Sequence, residues 1–300
     1  MTITDHARLV PASATMARLE AWRRGFYRFR RSTLSVIGLA ICLSLLLVAI
    51  FGPYLVPYPE HVAGGIATRA RFLAPSARHW FGTNELGQDV FSLVIAGARI
   101  SLLCGLAVVA IGAVVGTIVG ALAGYFGGWV DEVLMRLTDL KLTIPGLILA
   151  MAIAAALGPG LTNMIIAVSL SWWPGFARLV RGEVLAKKEE LFVAAARAMG
   201  ASDARIMTTH ILPNIAGPVI IKMSLDMGFA ILTVAALGFI GIGIKPPTPE
   251  WGSLLAIARG YMPEYWWTAV FPGLAIFLAV FGFNLLGDGL RDVLDPKTRR

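Results

Sequence analysis

Lys222 and Asp226 are the two groups in this sequence whose types and spacing most invite a chemical reading. They stand four residues apart, share one face of a helix and sit inside an apolar run. A lone carboxylate at mid-bilayer depth costs about 2.5–3.5 kcal/mol on insertion scales. Two readings follow: a polar element on a translocation path, or a paired charge that stabilises a bundle. Elsewhere no reactive centre takes shape. The histidines, His6, His61, His79 and His210, lack metal-ligand spacing. Cys42 and Cys104 lie in apolar runs, where small packing residues belong. No G-x-x-x-x-G-K-[ST] phosphate loop and no G-x-S-x-G nucleophile elbow occurs. A self-contained enzyme is therefore not expected, and no catalytic, cofactor-binding or metal-binding residue is assigned.

The elements that must hold that pair are apolar to an unusual degree. Of 300 residues, 57% are hydrophobic and 15% charged, against about 45–50% and about 25% in soluble domains. Lipid can solvate a helix that is apolar on every side, so the composition points to an all-α, polytopic membrane bundle. The formal charge of +8 lies mainly outside the apolar runs. Membrane topology accounts for it, and no nucleic-acid partner is expected.

Six apolar runs stand out, over 35–51, 100–125, 134–157, 161–176, 215–244 and 267–286. Each approaches the roughly 20 residues a bilayer requires, and the first is expected to stay as an anchor. The third is interrupted by Asp139, Lys141 and Pro145, so it should kink. Six crossings would put both termini on one side. Arginines crowd the N-terminal tail, the segment after the fourth run and the C-terminal tail, which makes that side cytoplasmic. The chain thus divides into a cytoplasmic tail over 1–32 and a transmembrane domain over 33–300. A cytoplasmic loop is expected near 177–214, and extracytoplasmic loops near 53–98 and 244–266. Met16, Leu19, Trp22, Phe26 and Phe29 recur at helical spacing among arginines, which suits an amphipathic helix on the inner leaflet.

Gly112, Gly116, Gly120 and Gly124 recur every fourth position in the second run. Such a stripe lets two helix backbones approach closely, either within the bundle or between subunits.

The cytoplasmic loop carries the most information. Phe192, Ala195, Ala196 and Met199 fall at i, i+3, i+4 and i+7, which predicts a short helix with one apolar face, closed at Gly200. Ser202 can cap a second helix, with Asp203 in its first turn, and Pro213 marks where that helix yields to the next crossing. The apolar face needs a cover, from inside the protein or from a soluble partner.

At these residues the chain resembles the C-type permease subunits of bacterial ATP-driven dipeptide and oligopeptide importers. Their cytoplasmic motif reads E-A-A, three residues, G, nine residues, I-x-L-P. Ala194, Ala195 and Ala196 stand at its E-A-A positions, Gly200 at the glycine, His210 at the isoleucine, and Leu212 and Pro213 at the end. The usual glutamate is thus replaced by Ala194. The stretch over 81–89, with Gly82, Thr83, Gly87 and Asp89, is similar to the F-G-T-D-x-x-G-R-D segment, departing from it at Asn84 and Gln88. The stretch over 246–252, with Pro249, Glu250 and Trp251, is similar to P-P-T-P-E-W-G, and 284–296 is similar to the C-terminal signature.

The resemblance covers residues 20–300 and implies the permease fold of type I ATP-driven importers in the inner membrane. It implies a homologous B-type permease as the other half of a pore, two ATP-binding subunits that carry ATP and magnesium, and an extracytoplasmic solute-binding protein that delivers peptide. The loop around Gly200 would couple the pore to the ATPases, and the two outer stretches would form the external mouth. Nickel chelates, glutathione, D-dipeptides or opines are alternative cargoes for the same machinery. A stand-alone secondary transporter or channel, or a purely structural membrane subunit, are more distant readings.

Overall fold

The structure, a computed structural model, describes residue 27 and residues 29–294. The amphipathic helix expected over 16–31 therefore falls largely outside the described residues, as does 295–296 of the C-terminal stretch. The described chain is helical. In order, the helices are α1 (Thr33–Leu55), α2 (Val90–Phe126), α3 (Gly128–Thr143), α4 (Gly146–Leu157), α5 (Leu161–Lys188), α6 (Leu191–Ala198), α7 (Leu212–Ile240), α8 (Trp251–Ala258) and α9 (Trp267–Leu294), joined by shorter turns.

Local chemistry sets the boundaries. Ser32 caps α1 by accepting from the Ser35 N–H, and Asp89 caps α2 by accepting from the Ser92 N–H at 2.8 Å. Among the described residues, four helices are long and apolar enough to cross a membrane: Thr33–Leu55, Val90–Phe126, Asp203–Ile240 and Trp267–Leu294. A fifth candidate is the pair α3 and α4, bent by 88° at its break. The expected count of six is thus not met on length and composition. The third run breaks at Ile144-Pro145, because proline disfavours helical backbone before it. The fourth run lies in a helix whose second half carries Arg178, Arg181, Glu183, Lys187 and Lys188, and these dilute its apolar character.

A second correction concerns Pro213. The helix begun at Asp203 does not yield there. It passes through a π-helical turn, Ile206–Ile211, and continues as α7 with Pro213 in the first turn, where the missing N–H costs little.

Side-chain packing gives the helix directions. Positions 112, 116, 120 and 124 of α2 face 172, 173–177, 177–181 and 181–184 of α5, so the two run parallel. Gly38 faces Leu285 while Gly282 faces Ile41, so α1 and α9 run antiparallel. Gly228 faces Val280 and Gly287 faces Leu225, so α7 and α9 are antiparallel too. Val108, Val168, Phe176, Ile231, Val234 and Leu237 form the centre of the core, contributed by α2, α5 and α7.

Candidate functional site

The segment between α5 and α7 is built around a small apolar cluster. Val193 and Ala196 of α6 are buried against Val180 and Val184 of α5, Ile206, Ile211 and Ile215 ahead of and within α7, and Ala121 and Tyr125 at the end of α2. The inward face is therefore Val193 and Ala196. Of the four residues expected to share one face, only Ala196 points inward, while Phe192, Ala195 and Met199 are exposed. Val193 was legible three positions before Ala196, but the i, i+3, i+4 pattern from Phe192 masked it. The helix consequently has two apolar sides, and the outer one leaves Leu191 88% and Met199 81% exposed. Ala194 is also exposed, so its position needs no charge to settle a buried partner.

Gly200 closes α6 with φ +80°, a left-handed conformation that glycine enters without a Cβ penalty. Ser202 then caps the next turn by accepting from the Arg205 N–H at 3.4 Å. Sequence reasoning missed the link from this turn to the bundle. The Tyr125 hydroxyl donates to Asp203 Oδ1 at 2.6 Å and accepts from Arg197 Nη2 at 3.4 Å. Lys188 Nζ donates to the Gly124 carbonyl at 3.0 Å. Both arms of the glycine turn are thereby tied to the end of α2. Leu212 is half-buried and Pro213 exposed at the start of α7.

The glycine stripe meets α5 of the same chain. A Cβ at Gly112 would lie 3.1 Å from Trp172 Cβ, and one at Gly124 would lie 2.9 Å from the Arg181 carbonyl. Cβ atoms at Gly116 and Gly120 would collide with the carbonyls of Trp173 and Ala177. The seam is internal, and its last residues, Gly124 and Tyr125, carry the turn region.

Lys222 and Asp226 are paired at 3.0 Å, and Trp172 Nε1 donates to the same Asp226 oxygen at 3.2 Å. Lys222 Nζ lies 5.0 Å from the Phe176 ring centroid. A carboxylate with two donors is satisfied where it stands, which favours the structural reading of this pair.

At the other end of the bundle, the two loop stretches pack inward. Glu250 and Trp251 are 0% and 1% exposed. Glu250 caps α8, accepting from the Gly252 and Ser253 N–H groups at 2.8 Å each, and Trp251 Nε1 donates to the Val94 carbonyl at 2.9 Å. Burial pushes the Glu250 carboxyl above the usual carboxylate range, against the opposing pull of those N–H groups and the Ser101 hydroxyl. Pro249 precedes this wedge and lines a cleft with Pro53 and Arg99.

Thr83 and Asp89 are as deeply buried. Thr83 Oγ1 donates to the Ala70 carbonyl at 2.5 Å. Asp89 accepts from Ser92 and pairs with His79 Nδ1 at 2.9 Å, while its N–H donates to His61 Nδ1 at 3.0 Å. Gly82 has φ +71°, and a Cβ at Gly87 would strike the Ala67 carbonyl. Asn84 Nδ2 donates to Gln88 Oε1 at 2.9 Å. The two departures from the importer motif are thus partners: a neutral amide pair stands where that motif has Asp and Arg.

The architecture is that of an all-α membrane bundle with a glycine-turned segment between α5 and α7. Residues 116–300 match the family described as binding-protein-dependent transport system inner membrane component, and residues 20–75 match the N-terminal TM domain of oligopeptide transport permease C. The chain belongs to this family of importer permeases, and its role is non-enzymatic. It is 43% identical to the dipeptide transport system permease protein DppC of Alkalihalophilus pseudofirmus, over 93% of this chain and 90% of the relative. It is 46% identical to the probable D,D-dipeptide transport system permease protein DdpC of Escherichia coli K12, over 90% of each chain. It is 45% identical to the glutathione transport system permease protein GsiD of Escherichia coli O6:K15:H31, over 93% of this chain and 91% of the relative. The inward-facing MetNI methionine ABC transporter shares the fold, with TM-score 0.55 and 19% identity over 67% of this chain and 96% of that one. The chain is thus a multi-pass permease subunit of an ATP-driven solute importer of the peptide class.

Proposed function

We propose that this permease serves an importer of short, peptide-like solutes of the glutathione or D,D-dipeptide kind, rather than one confined to ordinary dipeptides and oligopeptides. Two of the three kinds of relative named above carry such cargoes in their names, at identities equal to or above that of the dipeptide relative. The chain would form half of the pore with a B-type permease, dock two ATP-binding subunits and receive cargo from an extracytoplasmic binding protein.

The observation that carries the coupling role is the two-sided α6. Val193 and Ala196 fix it to the bundle while Leu191, Phe192 and Met199 stand uncovered. A short helix held on one side and apolar on the other is suited to seat in a groove of an ATPase and move as a unit. Phe192, Ala194, Ala195, Met199 and Gly200 form the contact end, and Ala196, Ser202, Asp203, Leu212 and Pro213 the bundle end.

The domain division at residue 33 and a six-crossing topology belong to the same reading. The parallel run of α2 and α5 supports it, because the chain between them must return across the bundle, and α3 with α4 is the only segment there. A Cβ at Gly289 would meet Ser35, so the start of α1 and the end of α9 lie together. With the arginine-rich tails, this supports the reading that both termini are cytoplasmic. The buried Gly82, Thr83, Gly87, Asp89, Pro249, Glu250 and Trp251 then shape the outer mouth by folding its loops, leaving contact with the binding protein to their exposed neighbours.

The test is uptake of labelled glutathione, D-alanyl-D-alanine and an ordinary L-dipeptide into vesicles holding the complete complex and its binding protein. Glutathione or the D-dipeptide should be taken up preferentially and in an ATP-dependent manner. Preferential L-dipeptide uptake would overturn the cargo reading, and uptake without the ATPases would overturn the importer reading.

A further inference from the structure

His61 and His79 are both buried and both pack against the ring of Tyr58, with centroids 5.1 and 4.9 Å away. The three rings gather where the short helical turn Pro59–Val62 meets the start of α2. Each imidazole is bonded to Asp89, and the two bonds run in opposite senses. The Asp89 carboxylate receives three donors: the Ser92 N–H at 2.8 Å, the Ser92 hydroxyl at 2.7 Å and His79 Nδ1 at 2.9 Å. His61 Nδ1 instead accepts, from the Asp89 backbone N–H at 3.0 Å. An imidazole nitrogen accepts only while its lone pair is free. His61 therefore carries its proton on Nε2 and is neutral in this fold, whereas His79 can hold Asp89 whether neutral or protonated.

The backbone of His61 adds to the same junction. Its carbonyl accepts from Gln88 Nε2 at 3.2 Å, and that amide also donates to the Gly65 carbonyl at 3.0 Å. The two residues that lead into α2 are thus tied to residues 61–65 through one histidine. Histidine is the side chain that ordinarily changes charge between pH 5 and 8. A proton on His61 Nδ1 sets one N–H against another, and the buried Asp89 N–H loses its partner. Around the ring stand Tyr58, whose hydroxyl donates to the Arg78 carbonyl, the exposed Glu60 and Arg78, His79, and the already occupied Asp89 carboxylate. If the new N–H turns to that carboxylate, it must still leave the backbone N–H. Either route undoes the bond.

We propose that His61 is a proton-operated latch. Neutral, it fastens the first loop to the capped start of α2; protonated, it releases it. The orientation proposed above puts the latch outside the membrane, where it reads external pH, but the release itself does not rest on that reading.

The experiment follows amide hydrogen exchange by mass spectrometry in the assembled importer in vesicles, at pH 7.5 and 5.5, with the chemical exchange rate corrected for. Peptides over 58–66 and 82–93 should lose protection about tenfold at the lower pH, the scale expected when a buried N–H gives up its partner. A peptide over 104–116, inside α2, should not change. Exchange of the imidazole ring C–H in the wild-type protein reports the titration of His61, and its midpoint should coincide with the loss of amide protection. His61→Asn supplies an acceptor that does not titrate, so protection should become equal at the two pH values. His79→Asn keeps a donor for Asp89, and the response to pH should persist. Unchanged protection in wild type, a midpoint for His61 more than about one pH unit from the loss, or a response that survives in His61→Asn would overturn the latch. So would a response abolished by His79→Asn. Absence of ATP-dependent uptake at either pH, with the exchange results intact, would count against the importer reading and leave the latch standing.

Discussion

The phenolic oxygen of Tyr125, at the end of α2, lies 2.6 Å from Oδ1 of Asp203, at the start of the turn that leads into α7. Arg197 of α6 reaches the same oxygen at 3.4 Å. One hydroxyl therefore joins the helix that packs along α5 to both arms of the glycine turn, and displacement of α6 has a polar route into the bundle besides its apolar one. Tyr125→Phe keeps the ring and removes the link. A hydrogen bond of this kind contributes about 0.5–1.5 kcal/mol, and the exposure of Asp203 puts this one at the low end. Assembly and thermal stability should change little, whereas stimulation of ATP hydrolysis by loaded binding protein should fall. The ratio of stimulated to basal hydrolysis in vesicles checks it. An unchanged ratio would show that the link carries no coupling.

Gly200 stands at φ +80° with open space around its missing side chain. Backbone strain, with no collision, is then the whole cost of substitution, about 1–3 kcal/mol for a β-branched residue in that region. Gly200→Val should weaken ATPase association and stimulated hydrolysis while insertion persists. Gly200→Asn should be the milder variant, since asparagine tolerates left-handed backbone. Pull-down of the ATP-binding subunits compares the two, and equal behaviour would remove Gly200 as the pivot.

The α2–α5 seam responds to volume instead. Gly116→Leu or Gly120→Leu forces a side chain into the backbone of α5. Overpacking typically costs about 1–3 kcal/mol, and collision with backbone leaves less room to relax. Gly182→Leu, on α5 itself but facing open space, is the control. Thermal aggregation in detergent should come earlier for the first two and stay at the wild-type temperature for the third.

Asn84 and Gln88 form a buried neutral pair at the positions where the importer motif that this stretch resembles reads Asp and Arg. Asn84→Asp alone or Gln88→Arg alone leaves a buried charge without its partner, at a cost of about 3–5 kcal/mol. The double variant should recover most of that loss. A double-mutant cycle on melting temperature reads the coupling, and additive losses would dissociate the two positions.

Glu250 ties stability to pH with a defined sign. Its carboxyl is held above the usual range in the folded state, so the folded protein binds the extra proton. The contribution is fully present below the ordinary glutamate pKa and is lost as pH rises through the elevated folded value. Melting temperature followed from about pH 4 to pH 7 should show this component in wild type and lose it in Glu250→Gln. Parallel curves would assign the pH dependence to other groups.

Composition and periodicity alone determined the membrane class, the helical architecture, the glycine stripe and the turn at Gly200, because each depends on local properties: apolar length, four-residue spacing, and the backbone freedom of one residue. Residue type likewise placed Ser202 at a cap, whereas the capping of α8 by Glu250 emerged only in the structure. Which side of α6 turns inward was not legible, since Phe192 and Val193 are both apolar and only the cavity beneath them selects Val193. Nor was the partner of the glycine stripe, because a smooth face accepts any close backbone and only the parallel register of α5 fills it. Run counting gave six similar segments, yet Pro145 and the charges of α5 make two of them unlike the rest. Tyr125 and Asp203 lie 78 positions apart, as do no two residues of one helix, and their bond exists because the bundle returns the chain to the end of α2.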